Sequence, residues 1–294
     1  MDRSRCSGSA ALGDRVFYFR AEGLRRVTSL QYGQNFISFG VAIRFESSNA
    51  RLLQKAVKTA NKALIGNLKP TQKPPEHTFV FGRNKELGTF VEHNGSIVAE
   101  NEIERGVFKY FDSYLRVRIG EYCPDRVFVH SGAVGINGKA LLIPGNSFSG
   151  KSTLVLELVK LGAEYFSDEF AILDKHGRVH PYARPINMRT TDGKYRPYTV
   201  DVSDKADLKK RKPLPVGAVL FTSYKANAPF RPKRLSPAEG IMTIAPYTLP
   251  ILVNPAYSIQ VLHEVMNGAL IVKSKRTHAP RFGEKLLQYL AKVM

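Results

Sequence analysis

The chain has 294 residues, 43% apolar and 23% charged, a balance that fits a folded globular protein of about two domains. Lys and Arg total 44 against 25 acidic residues, and the net charge of +19 points to an anionic partner: nucleotide, nucleic acid, acidic protein or membrane surface. Cys6 and Cys123 give neither a disulfide framework nor a Cys/His zinc cluster; no run approaches the ~18 apolar residues of a membrane helix and no signal-peptide core is present, so cytoplasm is the expected location.

Residues 1–14 are polar and rich in Gly, Ser and Ala, and are read as a disordered tail. Strands are expected at Arg15–Phe19, Phe36–Phe45 and Thr78–Phe81, where apolar residues alternate or run together. Ala50–Leu64 reads as a helix with Leu52, Leu53, Ala56, Val57, Ala60 and Leu64 on one face. Asn67–Glu76, with three prolines, is a loop, and Val91–Ala99 is a hairpin turning at Asn94-Gly95. Glu102–Ile119 carries Ile103, Val107, Phe108, Phe111, Leu115 and Ile119 at helical spacing. Residues 15–125 therefore read as a small α+β N-terminal region, and residues 126–294 as a second domain.

Within that second domain, Lys139–Pro144 reads as a buried strand, followed by Gly145-Asn146-Ser147-Phe148-Ser149-Gly150-Lys151-Ser152, which matches G-x-x-x-x-G-K-[ST]. Ser152–Leu161 is apolar on one face at helical spacing and stops at Gly162. Strand, glycine turn and helix start form the context this phosphate-binding loop requires. Residues Gly145 to Thr153 are expected to cradle phosphates on backbone N–H groups, with Lys151 reaching the β- and γ-phosphates and Ser152 ligating Mg²⁺. Seventeen residues after Lys151 stands Asp168-Glu169, flanked by aromatic and aliphatic residues. That distance allows one helix, a turn and a return strand, so the pair can sit by the metal or accept a hydroxyl proton.

Beyond Arg189 the pattern loosens. Thr190–Pro215 reads as a charged excursion, Val216–Phe221 as a buried strand, and Ser236-Pro237-Ala238-Glu239 as an N-cap with Pro in the first turn. Helices are expected at Pro255–Asn267 and Gly283–Val293, and a strand at Ala269–Lys273. The basic runs Lys209-Lys210-Arg211-Lys212, Arg231-Pro232-Lys233-Arg234 and Lys273-Ser274-Lys275-Arg276 read as solvated loops. No nucleic-acid-binding signature accompanies them. His176 reads as a surface turn residue and His180 as structural.

The short spacing from loop to acidic pair argues against transporter- and motor-type ATPases, and no L-S-G-G-Q or N-K-x-D segment occurs. With His130-Ser131-Gly132 upstream and Asp168-Glu169 downstream, the arrangement resembles the HPr kinase/phosphorylase family and the phosphoenolpyruvate carboxykinase-like group around it. The resemblance covers roughly residues 126–190. It implies a mixed α/β catalytic domain of the HPr kinase C-terminal type, ATP and Mg²⁺ as cofactors, and His130 near the transferred phosphate. Lys151 would hold the phosphates, Ser152 the metal, and Asp168 with Glu169 would share metal contact and general-base duty. Glu169 stands where the family has a second aspartate, so either carboxylate can be the base. Arg184–Arg189 resembles a family segment only loosely, and both arginines read as surface residues. The family's best-known member is a ring of subunits, which makes a homo-oligomer an option.

The leading expectation is an ATP-dependent kinase acting on a hydroxyl, either a serine of a protein or peptide or a small alcohol. The alternatives are a catalytically silent nucleotide-binding module and a carboxykinase-like enzyme.

Overall fold

The computed structural model describes residues 30–190, 196–202 and 211–293. The expected tail at 1–14, the strand at Arg15–Phe19, and Lys209 and Lys210 lie outside the described residues.

The first sheet is built from β1 (Tyr32–Ser38), β2 (Val41–Ser47), β3 (Lys69–Pro70), β4 (His77–Asn84), β5 (Gly88–His93) and β6 (Ser96–Asn101), in the order β3-β1-β2-β4-β5-β6. Two helices cover it, α1 (Ala50–Ala63) and α2 (Glu104–Tyr122). The single strand expected at Phe36–Phe45 is a hairpin. Phe39 (φ 46) and Gly40 (φ 82) turn the chain, and Ser38 pairs with Val41. An apolar residue in the first turn position hid that turn. Asn49 starts α1 by accepting from the backbone N–H groups of Arg51 and Leu52, and the helix connects the parallel strands β2 and β4. Phe111 of α2 meets Phe45, Phe79 and Phe81 edge to face, with ring centroids 5.7, 5.5 and 4.8 Å away. Burial of such a ring stabilises by about 2–3 kcal/mol. α2 starts two residues later than its periodicity indicates and runs on to Tyr122.

The second sheet contains β7 (Val127–Ile136), β8 (Lys139–Pro144), β9 (Glu164–Ser167), β10 (Phe170–Leu173), β11 (Arg178–His180), β14 (Leu214–Tyr224), β15 (Lys233–Arg234) and β16 (Leu270–Arg276). Its order is β11-β10-β7-β8-β14-β16-β15, with β9 also on β7. β8, β14 and β16 run parallel while β7 and β15 oppose their neighbours, so the sheet is mixed. β12 (Ile186–Arg189) and β13 (Pro197–Val200) form a separate hairpin. Strand residues alternate between two cores. Leu141 and Ile143 face α3 (Lys151–Lys160) and α6 (Ala279–Val293), while Ala140 and Leu142 face α4 (Pro237–Ile244) and α5 (Pro255–Gly268). The molecule is thus a mixed α/β structure.

Two basic runs are not loops. Lys273–Arg276 completes β16, with Lys273 and Lys275 outward and Ser274 and Arg276 buried, and Lys233–Arg234 is β15. α6 begins at Ala279, four residues before the expected start. Ser236 and Glu239 form a capping box at α4. Asp174 closes the turn at His176 and binds His180 at 3.0 Å, which accounts for both histidines structurally. No helix among the described residues is long and apolar enough to cross a membrane.

The two sheets meet through α1, α2 and the turn at Phe39. The Phe39 ring lies edge-on to Phe128 at 5.2 Å, and the Tyr182 hydroxyl donates to Ala63 O at 2.7 Å. Parallel pairing brings the C-terminal ends of β8, β14 and β16 to one edge of the second sheet, where crevices form in open α/β sheets.

Candidate active site

β8 ends at Pro144, and the chain turns at once. The Gly145 N–H donates to His130 O at 3.3 Å, and the Ser149 N–H to Asn146 O at 3.2 Å. Phe148 (φ 63) and Gly150 (φ 83) both adopt the left-handed region, so the turn is tight enough for α3 to start at Lys151. No side chain caps α3, so its positive end stays open towards the loop. Asn146, Ser147 and Phe148 are exposed, as is Thr153 in the first turn of α3. Lys151 is buried and folds back, with Nζ donating to Gly145 O and Asn146 O at 2.7 Å each. Burial lowers the Lys151 ammonium to about 8, against the pull of Asp168 and Glu169.

β9 and β10 pair with the same edge of β7, and Asp168-Glu169 is the two-residue break between them. The Ser131 N–H holds that break by donating to Glu169 O at 3.0 Å. Asp168 Oδ2 accepts from Ser152 Oγ at 2.9 Å, and Oδ1 accepts from the Tyr165 hydroxyl at 3.0 Å. The same hydroxyl lies 2.7 Å from Arg184 O, so its one proton serves one acceptor at a time. Burial raises the Asp168 carboxyl, and the Ser152 and Tyr165 hydrogen bonds oppose the rise. His130 lies within β7, opposite Phe170. Burial pushes its ring down to about 4, with Lys151 adding to the effect and Glu169 opposing it, so the imidazole is neutral near pH 7.

Lys151, Ser152, His130, Asp168 and Glu169 therefore converge between the start of α3 and the β9–β10 break. Four further residues join them that sequence reasoning did not select. Arg276, from the end of β16, donates Nη2 to Ser149 O at 2.5 Å and packs over Tyr224 at 5.6 Å. Burial lowers its guanidinium. Arg184 is not a surface residue: its Nη2 donates to Asp112 Oδ1 at 3.0 Å, and its Nη1 is buried without a hydrogen bond. Arg116, on α2, reaches Glu169 from the other sheet's side: its Nη1 contacts Glu169 Oε2, and its Nη2 donates to Asp112 Oδ2 at 2.7 Å. Asp112 and Arg116 are an i,i+4 pair, a spacing common on solvated helix surfaces. Arg211, taken from the sequence as a solvated charge, donates to Tyr165 O at 2.8 Å behind the site.

No protein-family model matches the chain, and no curated protein matches its sequence. Among solved structures, the chain is similar to the Hpr(Ser) kinase/phosphatase from Coxiella burnetii. The identity is 16%, over 56% of this chain and 96% of that one, with a TM-score of 0.33. So distant a likeness carries no argument about function.

Proposed function

We propose that this chain binds Mg²⁺·ATP at Gly145–Thr153 and transfers the γ-phosphoryl group to a hydroxyl, of a protein or peptide serine or of a small alcohol. The observation that carries the reading is the 2.9 Å contact between Ser152 and Asp168. It sets a hydroxyl of the loop against a carboxylate of the strand break, two hard oxygen donors of the kind Mg²⁺ takes. Among the described residues no cluster of three or more His, Cys, Asp or Glu could hold a metal unaided. That fits a cation whose remaining ligands are phosphate oxygens and water, as at phosphoryl-transfer sites. The uncapped start of α3 and the left-handed Phe148 and Gly150 likewise fit a phosphate chain. The residues present therefore suit the group.

In this reading Mg²⁺ supplies neutralisation of the charge that develops on the phosphates. Lys151, now held by two loop carbonyls, would exchange them for phosphate oxygens. Ser152 and Asp168 would hold the cation, and Asp168 or Glu169 would take the acceptor's proton. The neutral His130 ring would offer a hydrogen bond near the transferred group without adding charge. Arg276 would brace the loop through Ser149, so that the backbone donors need no rearrangement as charge develops.

Asp168→Asn tests the chemistry. It should leave ATP affinity within a few-fold while lowering ADP formation from Mg²⁺·ATP, with water standing in for the hydroxyl acceptor, by about 10²-fold or more. ATP binding with neither hydrolysis nor transfer to any hydroxyl of a peptide or alcohol panel would instead assign the silent nucleotide-binding module.

A further inference from the structure

We infer that Arg116 is a positioning residue for Glu169, so that α2, a helix of the first sheet, completes the site built on the second. The inference rests on the phosphotransfer reading and extends it to a region in which no motif was found.

Arg116 is 5% exposed, and its Nε and Nη2 are both hydrogen-bonded, while Nη1 makes an ion-pair contact but no hydrogen bond. Nε donates to Asp112 O at 3.1 Å and to Asp112 Oδ2 at 3.2 Å; Nη2 donates to Asp112 Oδ2 at 2.7 Å and Ser113 Oγ at 3.2 Å. That leaves Nη1, which contacts Glu169 Oε2 across the boundary between the two sheets. Asp112 is itself anchored from the second sheet's side by Arg184 Nη2, at 3.0 and 3.2 Å. Two cations and two carboxylates thus alternate: Glu169, Arg116, Asp112, Arg184.

Burial of Arg116 could be satisfied by Asp112 alone, which lies on the same helix. The contact to Glu169 is additional, and it falls on one of the two residues where the β9–β10 ladder is broken and no strand pairing fixes the side chain. Backbone there is held by the Ser131 N–H, and the carboxylate by Arg116. Glu169 keeps 32% of its side chain open, so it is oriented without being sealed away from a reactant. A planar guanidinium restrained by three other hydrogen-bonding groups keeps its Nη1 charge at a fixed place beside the carboxylate.

The test uses the full chain with Arg116→Met, Arg116→Lys, Glu169→Gln and the double variant Arg116→Met/Glu169→Gln. Mg²⁺·ATP affinity, ADP formation with water as the acceptor, and melting temperature are measured for each. Arg116→Met should leave ATP affinity within about threefold and lower turnover by about 10- to 100-fold, the scale of a misplaced group. Arg116→Lys, which keeps the charge but not the fork, should recover part of the loss. If Arg116 acts through Glu169, the double variant should turn over within about twofold of Glu169→Gln alone. Losses that multiply would overturn the inference, as would native turnover in Arg116→Met or a parallel fall in ATP affinity. If Arg116→Met does not fold, the same cycle with Arg116→Lys decides. A native protein indifferent to ATP would remove the proposed function and the catalytic part of this inference together. The melting temperatures would then still judge the contact: a double variant no less stable than the worse single one supports it, and additive losses end it.

Discussion

Gly150→Ala probes the loop at the residue where backbone and tertiary contact coincide. Gly150 sits at φ 83, and a methyl group there would overlap Arg276 Nη2. An L-residue in the left-handed region costs about 1–2 kcal/mol. The steric overlap alone is cheap, because a guanidinium can swing aside. In doing so it forfeits its hydrogen bond to Ser149 O, worth about 1.5–3 kcal/mol for a charged donor. The expected loss is therefore about 2.5–5 kcal/mol. Gly162→Ala is the control: φ is 102 and nothing lies within 4 Å, so only the backbone cost of about 1–2 kcal/mol applies. Equilibrium urea unfolding of both variants, in native and Arg276→Met backgrounds, separates the two contributions. Removing Arg276 should bring Gly150→Ala down to the cost of Gly162→Ala. Equal losses in the native background would refute the bracing of the loop by Arg276.

Two other outcomes follow from charges elsewhere. His93 Nε2 lies 3.0 Å from His77 Nδ1, and Nδ1 lies 2.9 Å from the Tyr114 hydroxyl. Burial, then His77 and Arg118, push His93 down to about 4, and burial lowers His77 as well, against Glu76. The unfolded chain, with histidines near 6.5, binds protons that the fold refuses, so stability should fall as pH drops from about 6.5 to 4. Urea midpoints across that window should decline in the native protein and decline less in His93→Asn; superimposable profiles would contradict the assignment. Lys233 lies directly opposite Lys273 on β15 and β16, both exposed, an unfavourable cross-strand pair. Lys233→Gln, which adds no anion beside Glu239, should raise stability by about 0.2–1 kcal/mol in low salt, and a loss would show that attraction to Glu239 outweighs the repulsion.

Local signals in the sequence located much of the fold. Asn94-Gly95 supports a hairpin because both residues tolerate positive φ, and Ser236 with Glu239 caps α4 through contacts three residues apart. The loop letters led directly to Lys151 and Ser152, and the spacing to Asp168, which the structure brings within 2.9 Å of Ser152. What stayed hidden depends on tertiary packing. Asp112 and Arg116 have the spacing of a solvated ion pair, and only the second sheet buries them and puts Glu169 in reach. Arg276 closes a basic run whose alternation could not be told from loop charge until β14 and β15 flanked it. Phe39 places an aromatic ring in a turn because the ring packs on Phe128, a contact no local pattern encodes.

The central claim is that Gly145–Thr153 holds a nucleoside triphosphate, and the melting temperature of the native protein and of Lys151→Ala with and without Mg²⁺·ATP tests it most directly. A ligand that binds only the fold, at about 100 times its Kd, adds about 2.7 kcal/mol. For a chain of 294 residues that is a rise of roughly 4 °C. Native protein should show the rise, and Lys151→Ala should lose most of it while melting cooperatively without ligand. No response of the native protein at millimolar Mg²⁺·ATP, or an equal response in Lys151→Ala, would contradict the account.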